Sequence, residues 1–162
     1  MKIHTEVKIQ KPAPEVIGTL SNPSNNIHWQ PEFVSYEHLA GIPDQPGATG
    51  KYVVQNGNFR DEFIETIIAN NLPDEITAVM ESKWLKITNK HKFFSIDENT
   101  TNVITDADIT FKGLAMLLGW MTKSAIQKQT SDNLAHFKDY IEKGVSVKAP
   151  SISSAKTPAS PR

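Results

Sequence analysis

The chain has 162 residues, a net charge of −1 and no cysteine. That length gives one domain with room for a real core. Without cysteine, disulfides, thiolate metal sites and thiol catalysis are excluded. Charges of both signs are mixed along the chain, so neither nucleic acid nor an anionic membrane finds the basic cluster it needs.

The opening, MKIHTEVKIQ, lacks the apolar run of a signal peptide, and no segment is long and apolar enough to span a bilayer. The expectation is a soluble, cytoplasmic protein with no integral membrane contact. Residues 3–10 alternate, with Ile3, Thr5, Val7 and Ile9 on one face, as in a half-buried strand. Pro14 and Glu15 then suit the first turn of a short helix that Asn22-Pro23 breaks, and Ser24 to Trp29 can form another turn or two before Pro31.

From Glu32 to Phe111 strand follows strand: 33–40, 51–55, 58–69, 76–84, 85–96 and 102–111. Asn56-Gly57 is the strongest hairpin signal, because both central residues of a type I′ turn need positive φ. Short loops make most neighbours antiparallel. From Lys112 to Gly144 no proline interrupts, and one helix of roughly 28–30 residues is predicted, with Gly144 as its C-cap. Ile126, Thr130, Leu134, Phe137 and Ile141 share one face of it. Near its start Leu114, Leu117, Leu118, Met121 and Ala125 line one side while Met116 and Trp120 lie nearly opposite, a wide apolar arc that needs two partners, or a partner and an apolar ligand. Residues 1–144 form the domain. Residues 145–162, rich in Ser, Pro, Ala and Lys, read as a disordered tail.

This pattern resembles the START-like, helix-grip superfamily (SRPBCC), and within it the polyketide cyclase/dehydrase-like group. The residues that carry the resemblance are Ala13-Pro14, Asn22-Pro23, Trp29-Gln30-Pro31, Gly47, Asn102-Val103 and Phe111 to Gly113 before the long helix. It covers about residues 3–143 as a shared pattern, with no shared catalytic signature. It implies an α+β fold: a seven-stranded, curved antiparallel sheet around a long C-terminal helix, with two short helices after the first strand. It also implies a mostly apolar pocket between sheet and helix, which relatives use for lipids, polyketides and other hydrophobic molecules.

In such a pocket Trp29 would stand at the rim. Tyr36, Tyr52, Phe63, Met80 and Trp84 would line the strand wall, and Met121, Ala125, Gln129 and Asn133 would close it from the helix. Alternation puts Asp61 and Glu65 on the face of Phe59, Phe63 and Ile67, and Arg60 and Glu62 on the other. Because one face of an antiparallel sheet can be solvated, most of these charges are expected outside, with Glu65 and Glu81 the carboxylates to test as a general base. His4, His28, His38, His91 and His136 show no metal-binding spacing, and no phosphate-binding, dinucleotide or serine-hydrolase motif is present, so neither metal nor cofactor is expected. Three functions follow from the pattern. The first is binding of a hydrophobic small molecule in the pocket. The second is a cyclase or dehydratase acting there. The third is a module resembling the heat-shock ATPase activator relatives of this fold, with a protein partner at the start of the long helix, Leu114 to Trp120.

Overall fold

The structure, a computed structural model, describes residues 1–117 and 119–148, less the side chains of 117–122. Seven strands form one antiparallel sheet: β1 (Lys2–Ile9), β2 (Phe33–Ala40), β3 (Thr49–Asn56), β4 (Phe59–Asn71), β5 (Glu75–Glu81), β6 (Leu85–Asp97) and β7 (Thr100–Phe111). Their order is β1-β7-β6-β5-β4-β3-β2. From β2 to β7 the chain meanders between neighbours, as short loops require. The remaining strand, β1, closes on β7. Helix α1 (Ala13–Leu20) and a 3-10 helix (Pro23–His28) therefore carry the chain from one sheet edge to the other. Pro14 stands in the first turn of α1, and the Asn22 carboxamide oxygen caps the 3-10 helix by accepting from Ser24 N at 3.1 Å. Register shifts in β2, in β4 between Ile67 and Ala69, and at the end of β6 mark bulges, which bend strands.

Helix α2 (Gly119–Lys143) packs along β1 on the inner face of the sheet. The predicted periodicity holds: Leu134 and Phe137 are buried, and Ile126 and Ile141 pack against the core. Polar bonds follow the same line. Gln127 donates to His4 O (3.1 Å), Lys138 to Lys8 O (2.6 Å), and Gln10 N to the Glu142 carboxylate (2.6 Å). Facing away from β1, Asn133 donates to the Glu32 carboxylate at 2.6 Å, just before β2. Phe137 is completely buried among Ile9, Val16, Phe93 and Val103, and Trp29 meets it edge-on at 5.3 Å.

Four local expectations change. The long helix does not begin at Lys112. Strand β7 ends at Phe111, and Gly113, with a left-handed φ of +55, opens a 3-10 turn (Gly113–Leu117) that precedes α2. The hairpin after β3 is shifted by one residue. Asn56 pairs with Phe59, leaving Gly57 and Asn58 as the central pair, and positive φ at Gly57 alone belongs to a type II′ turn. Strand β5 ends at Glu81, and Ser82 to Trp84 turn back, with the Ser82 hydroxyl accepting from Trp84 N at 3.1 Å. Finally, residues 145–148 stay against the domain: Val147 N donates to His28 O at 2.9 Å, at the open carbonyl end of the 3-10 helix, and Lys148 donates to Phe33 O. Residues 149–162 of the expected tail lie outside the described residues. Gly144 does cap α2, with φ +70 and its N–H on Tyr140 O at 2.8 Å.

Removing the ring that joins α2 to both short helices and the sheet should be costly. Phe137→Ala is expected to lose about 3–5 kcal/mol of stability in urea unfolding; a loss below about 1 kcal/mol would mean that the ring does not anchor the helix.

Candidate functional site

Helix α2 covers only part of the inner face, and beside it lies a cavity of about 810 Å³. The expected wall residues Trp29, Tyr36, Tyr52, Phe63, Met80 and Trp84 line it, as do Gln129 and Asn133 of α2. Strand parity explains the convergence. Tyr36 pairs with Tyr52, and Tyr52 with Phe63, so three aromatic side chains on adjacent strands point the same way. Tyr36 and Tyr52 are 4.9 Å apart, and Phe33 meets Tyr52 edge-on at 6.1 Å. Trp84 reaches the cavity from the turn after β5 rather than from a strand, with Lys83 Nζ 4.8 Å over its ring.

One helix expectation comes out differently, and another lies outside the described residues. Ala125 is exposed and does not line the cavity, because the inward stripe of α2 runs through Ile126, Gln129, Thr130 and Asn133; one residue is about 100° of helix rotation. The side chain of Met121 lies outside the described residues. At the start of the helix, Leu114 and Met116 are 78% and 66% exposed, while the side chains of Leu117 to Trp120 lie outside the described residues.

The larger correction concerns charge. Asp61 and Glu65 face inward, because they share the parity of the buried Phe63 and Ile67. Glu65 pairs across the sheet with Gly50. A Cβ at position 50 would stand 2.2–2.6 Å from the ring and hydroxyl of Tyr36, so only a glycine leaves room for that phenol above the neighbouring strand. Burial, reinforced by the Asp44 carboxylate, pushes the Glu65 carboxyl up to about 7. Burial likewise raises both tyrosines, with Glu65 adding to the effect. Further along the inner face, burial lowers His91 to about 4; its Nδ1 lies 2.9 Å from the Thr105 hydroxyl. Glu81 is different: it is exposed, and a hydrogen bond and ion pair with Lys112 (3.1 Å) hold it below the usual carboxylate range. It is no candidate base within the cavity. Parity was the sequence signal for Glu65, but an acid on the parity of Phe63 contradicts the usual solvated-face reading. Among the described residues no three His, Asp or Glu side chains converge as metal ligands would, and no helix is long and apolar enough to cross a membrane.

No family model matches the sequence, and no curated protein matches it. Solved structures do. A conserved protein from Geobacillus kaustophilus superposes with a TM-score of 0.75 at 16% identity, covering 89% of this chain and 97% of the other. A START superfamily protein from Mycobacterium smegmatis gives 0.69 at 16% identity, over 89% and 96%. The ZhuI aromatase/cyclase from Streptomyces sp. R1128 gives 0.67 at 11% identity, over 91% and 99%. The chain thus has the START-like helix-grip fold. Its seven-stranded sheet, C-terminal helix and short helices after β1 are the arrangement it shares with these structures.

Glu65 and His91 give stability a testable pH dependence. Folded Glu65 keeps its proton up to about 7, against an ordinary 4.5, so the native state binds more protons in that window and stability falls as pH rises. Folded His91 binds its proton only below about 4, against an ordinary 6.5, so there stability rises with pH. Between 4.5 and 6.5 the two slopes oppose each other. Relative to the parent chain, Glu65→Gln should gain stability with rising pH, and His91→Asn should lose it, each by up to about 1.4 kcal/mol per pH unit. Urea unfolding across that window checks this; curves for all three proteins that stay parallel would contradict neutral burial of both groups.

Proposed function

We propose that this protein binds a hydrophobic small molecule, lipid-like or polyketide-like, in the cavity between sheet and α2. The observation that carries this reading is the cavity itself: about 810 Å³, its lining mostly apolar in area, with polar side chains such as Asp61, Glu65, Asn89 and His91 on the strands and Gln129 and Asn133 on the helix. A volume in the range of about 300–1,000 Å³ with such a lining is that of a small-molecule site. Trp29, Tyr36, Tyr52, Phe63, Met80 and Trp84 would contact the apolar body, and Gln129 and Asn133 would contact it from the helix. The fold is shared with a structure described as an aromatase/cyclase, which is consistent with an apolar, ring-forming ligand class.

Glu65 favours a second reading, a cyclase or dehydratase. A carboxyl with its pKa near 7, beside two phenols in a cavity, can give or accept a proton at neutral pH. Under this reading Glu65 is the acid–base group, and turnover of a polyketide-like substrate should break near pH 7 and collapse in Glu65→Gln.

Native mass spectrometry of the purified protein, followed by extraction, tests the binding reading: a co-purifying hydrophobic molecule near one per chain is expected. Ala78 lines the cavity on β5, and Ala78→Phe should weaken uptake about tenfold or more while the chain stays folded. If the same substitution instead destabilises by about 1–3 kcal/mol with uptake unchanged, the region is solid core and the reading fails.

A further inference from the structure

The charges that line the cavity are of one sign. Glu32, Asp44, Asp61 and Glu65 line it and, among the described residues, no lysine or arginine does. Of its two histidines, burial keeps His91 uncharged above about 4, and His38 turns Nε2 to Gly41 O at 2.9 Å. Glu32 is taken up by the Asn133 amide. The other three acids meet no cation. Among the described residues the Glu65 and Asp44 carboxyl groups have neither an ion pair nor a hydrogen bond, and Asp61, only 8% exposed, accepts a single bond, from Glu62 N at 3.0 Å. A carboxylate taken from water keeps its charge only beside a counter-charge, and here the protein leaves that counter-charge to the occupant.

Strand register brings Glu65 together with Tyr36. Glu65 lies directly across from Gly50, and opposite positions of an antiparallel pair are about 4.5–5.5 Å apart at Cβ. The Tyr36 hydroxyl fills the place of the missing side chain at Gly50, 2.5 Å from where a Cβ would stand. Phenol oxygen and carboxyl are therefore neighbours on the inner face, within reach of one ligand atom. Asp44 joins them from the loop between β2 and β3, which Asn70 Nδ2 ties to β4 by donating to Asp44 O at 2.6 Å. Its carboxylate is near enough to push up Glu65 and both tyrosines. Asp44 is exposed and Glu65 is half-buried, so the group runs from the cavity mouth inward. The rings of Tyr36 and Tyr52, 4.9 Å apart, add aromatic faces beside it.

Chemistry then selects the occupant. A carboxylate or phosphate head would meet like charge on this wall. A metal ion needs more oxygen ligands than converge here, since among the described residues no three His, Asp or Glu side chains come together. A neutral hydroxyl or carbonyl leaves Glu65 its proton and brings no counter-charge. An ammonium carries three donors for the carboxylates and the phenol oxygen, is attracted by aromatic faces, and takes the place of the proton beside Glu65. We propose that Glu65, Asp44 and Tyr36 form a subsite for the basic nitrogen of an otherwise apolar ligand, an alkyl or arylalkyl amine, in a cavity that rejects carboxylates of the same size. This rests on the ligand-binding reading above and adds to it the charge of the ligand's polar group.

The test compares three probes on one ring system, 1-naphthylmethylamine, 1-naphthylmethanol and 1-naphthylacetate, by calorimetric titration of the full chain. At pH 8 Glu65 is past its midpoint and an alkylamine is still protonated. The amine should bind about tenfold more tightly than the alcohol, the worth of a hydrogen bond to a charged group, and the acetate more weakly than the alcohol. Glu65→Gln, which keeps the shape and removes the charge, should narrow the preference for amine over alcohol to within about threefold, and Asp44→Asn should narrow it less. Glu98→Gln, in the exposed turn between β6 and β7 and outside the cavity lining, should leave it as it is. Circular dichroism verifies that each variant is folded, and the comparison on the parent chain stands even if a variant is not. Equal affinity for amine and alcohol, or an acetate that binds as tightly as the amine, would overturn the amine subsite and leave the binding reading intact. A preference that survives in folded Glu65→Gln, or falls equally in Glu98→Gln, would overturn the assignment to these residues. No uptake of any of the three would overturn both readings together.

Discussion

A single helix cannot cover a seven-stranded sheet, and most of what is distinctive here descends from that mismatch. Seven strands about 4.8 Å apart span about 29 Å, whereas a helix with its side chains is about 10–12 Å wide. Phe137 and Leu134 seat α2 over β1. At Ile67, Ile76 and Phe93 the inner face packs against Val16, Trp29 and Phe137, and the rest of the inner face of β3 to β6 borders the cavity beside the helix, with bulges in β2 and β4 bending the sheet. The cavity is thus a consequence of where α2 is anchored. It requires no special insertion.

The same mismatch explains why polar groups tolerate the inner face. A carboxyl at Glu65 or an imidazole at His91 under a fully packed helix would have to be paired or deleted. Facing a cavity, each remains by adopting its neutral form: the acid keeps its proton and the base stays without one. Between about pH 4 and 7 the interior is consequently uncharged at these two positions while still rich in donors and acceptors. Such a wall can hydrogen-bond an uncharged molecule without the desolvation cost of an ion.

Much of this was legible from residue order. Alternation located the first strand, β-rich runs bounded by turn residues located the other six, and the period of Ile126, Thr130, Leu134, Phe137 and Ile141 located the buried stripe of α2. The wall of Tyr36, Tyr52, Phe63 and Met80 was expected from the resemblance and from their place on strands, and the register that turns them inward is supplied by the structure. The misses are of a different kind. Ala125 was misplaced because one helix residue is a large rotation, and apolar character alone does not choose between neighbours such as Ala125 and Ile126. Gly113 and the one-residue shift at Gly57 depend on backbone conformations that several sequences permit. Glu65 required placing an acid against the usual solvated-face rule.

The bonds that hold α2 run along both of its flanks. On its β1 flank the helix is fastened along its length, from Gln127 on His4 to Glu142 on Gln10. Toward β2, among the described residues, the fastening along the cavity is the Asn133–Glu32 hydrogen bond. Past Asn133 this side is tied again: Tyr140 stacks on His28 at 4.7 Å, Val147 N donates to His28 O and Lys148 donates to Phe33 O. The helix is therefore hinged along β1 and, among the described residues, held on the β2 side from Asn133 to the end of the chain described, rather than by one bond.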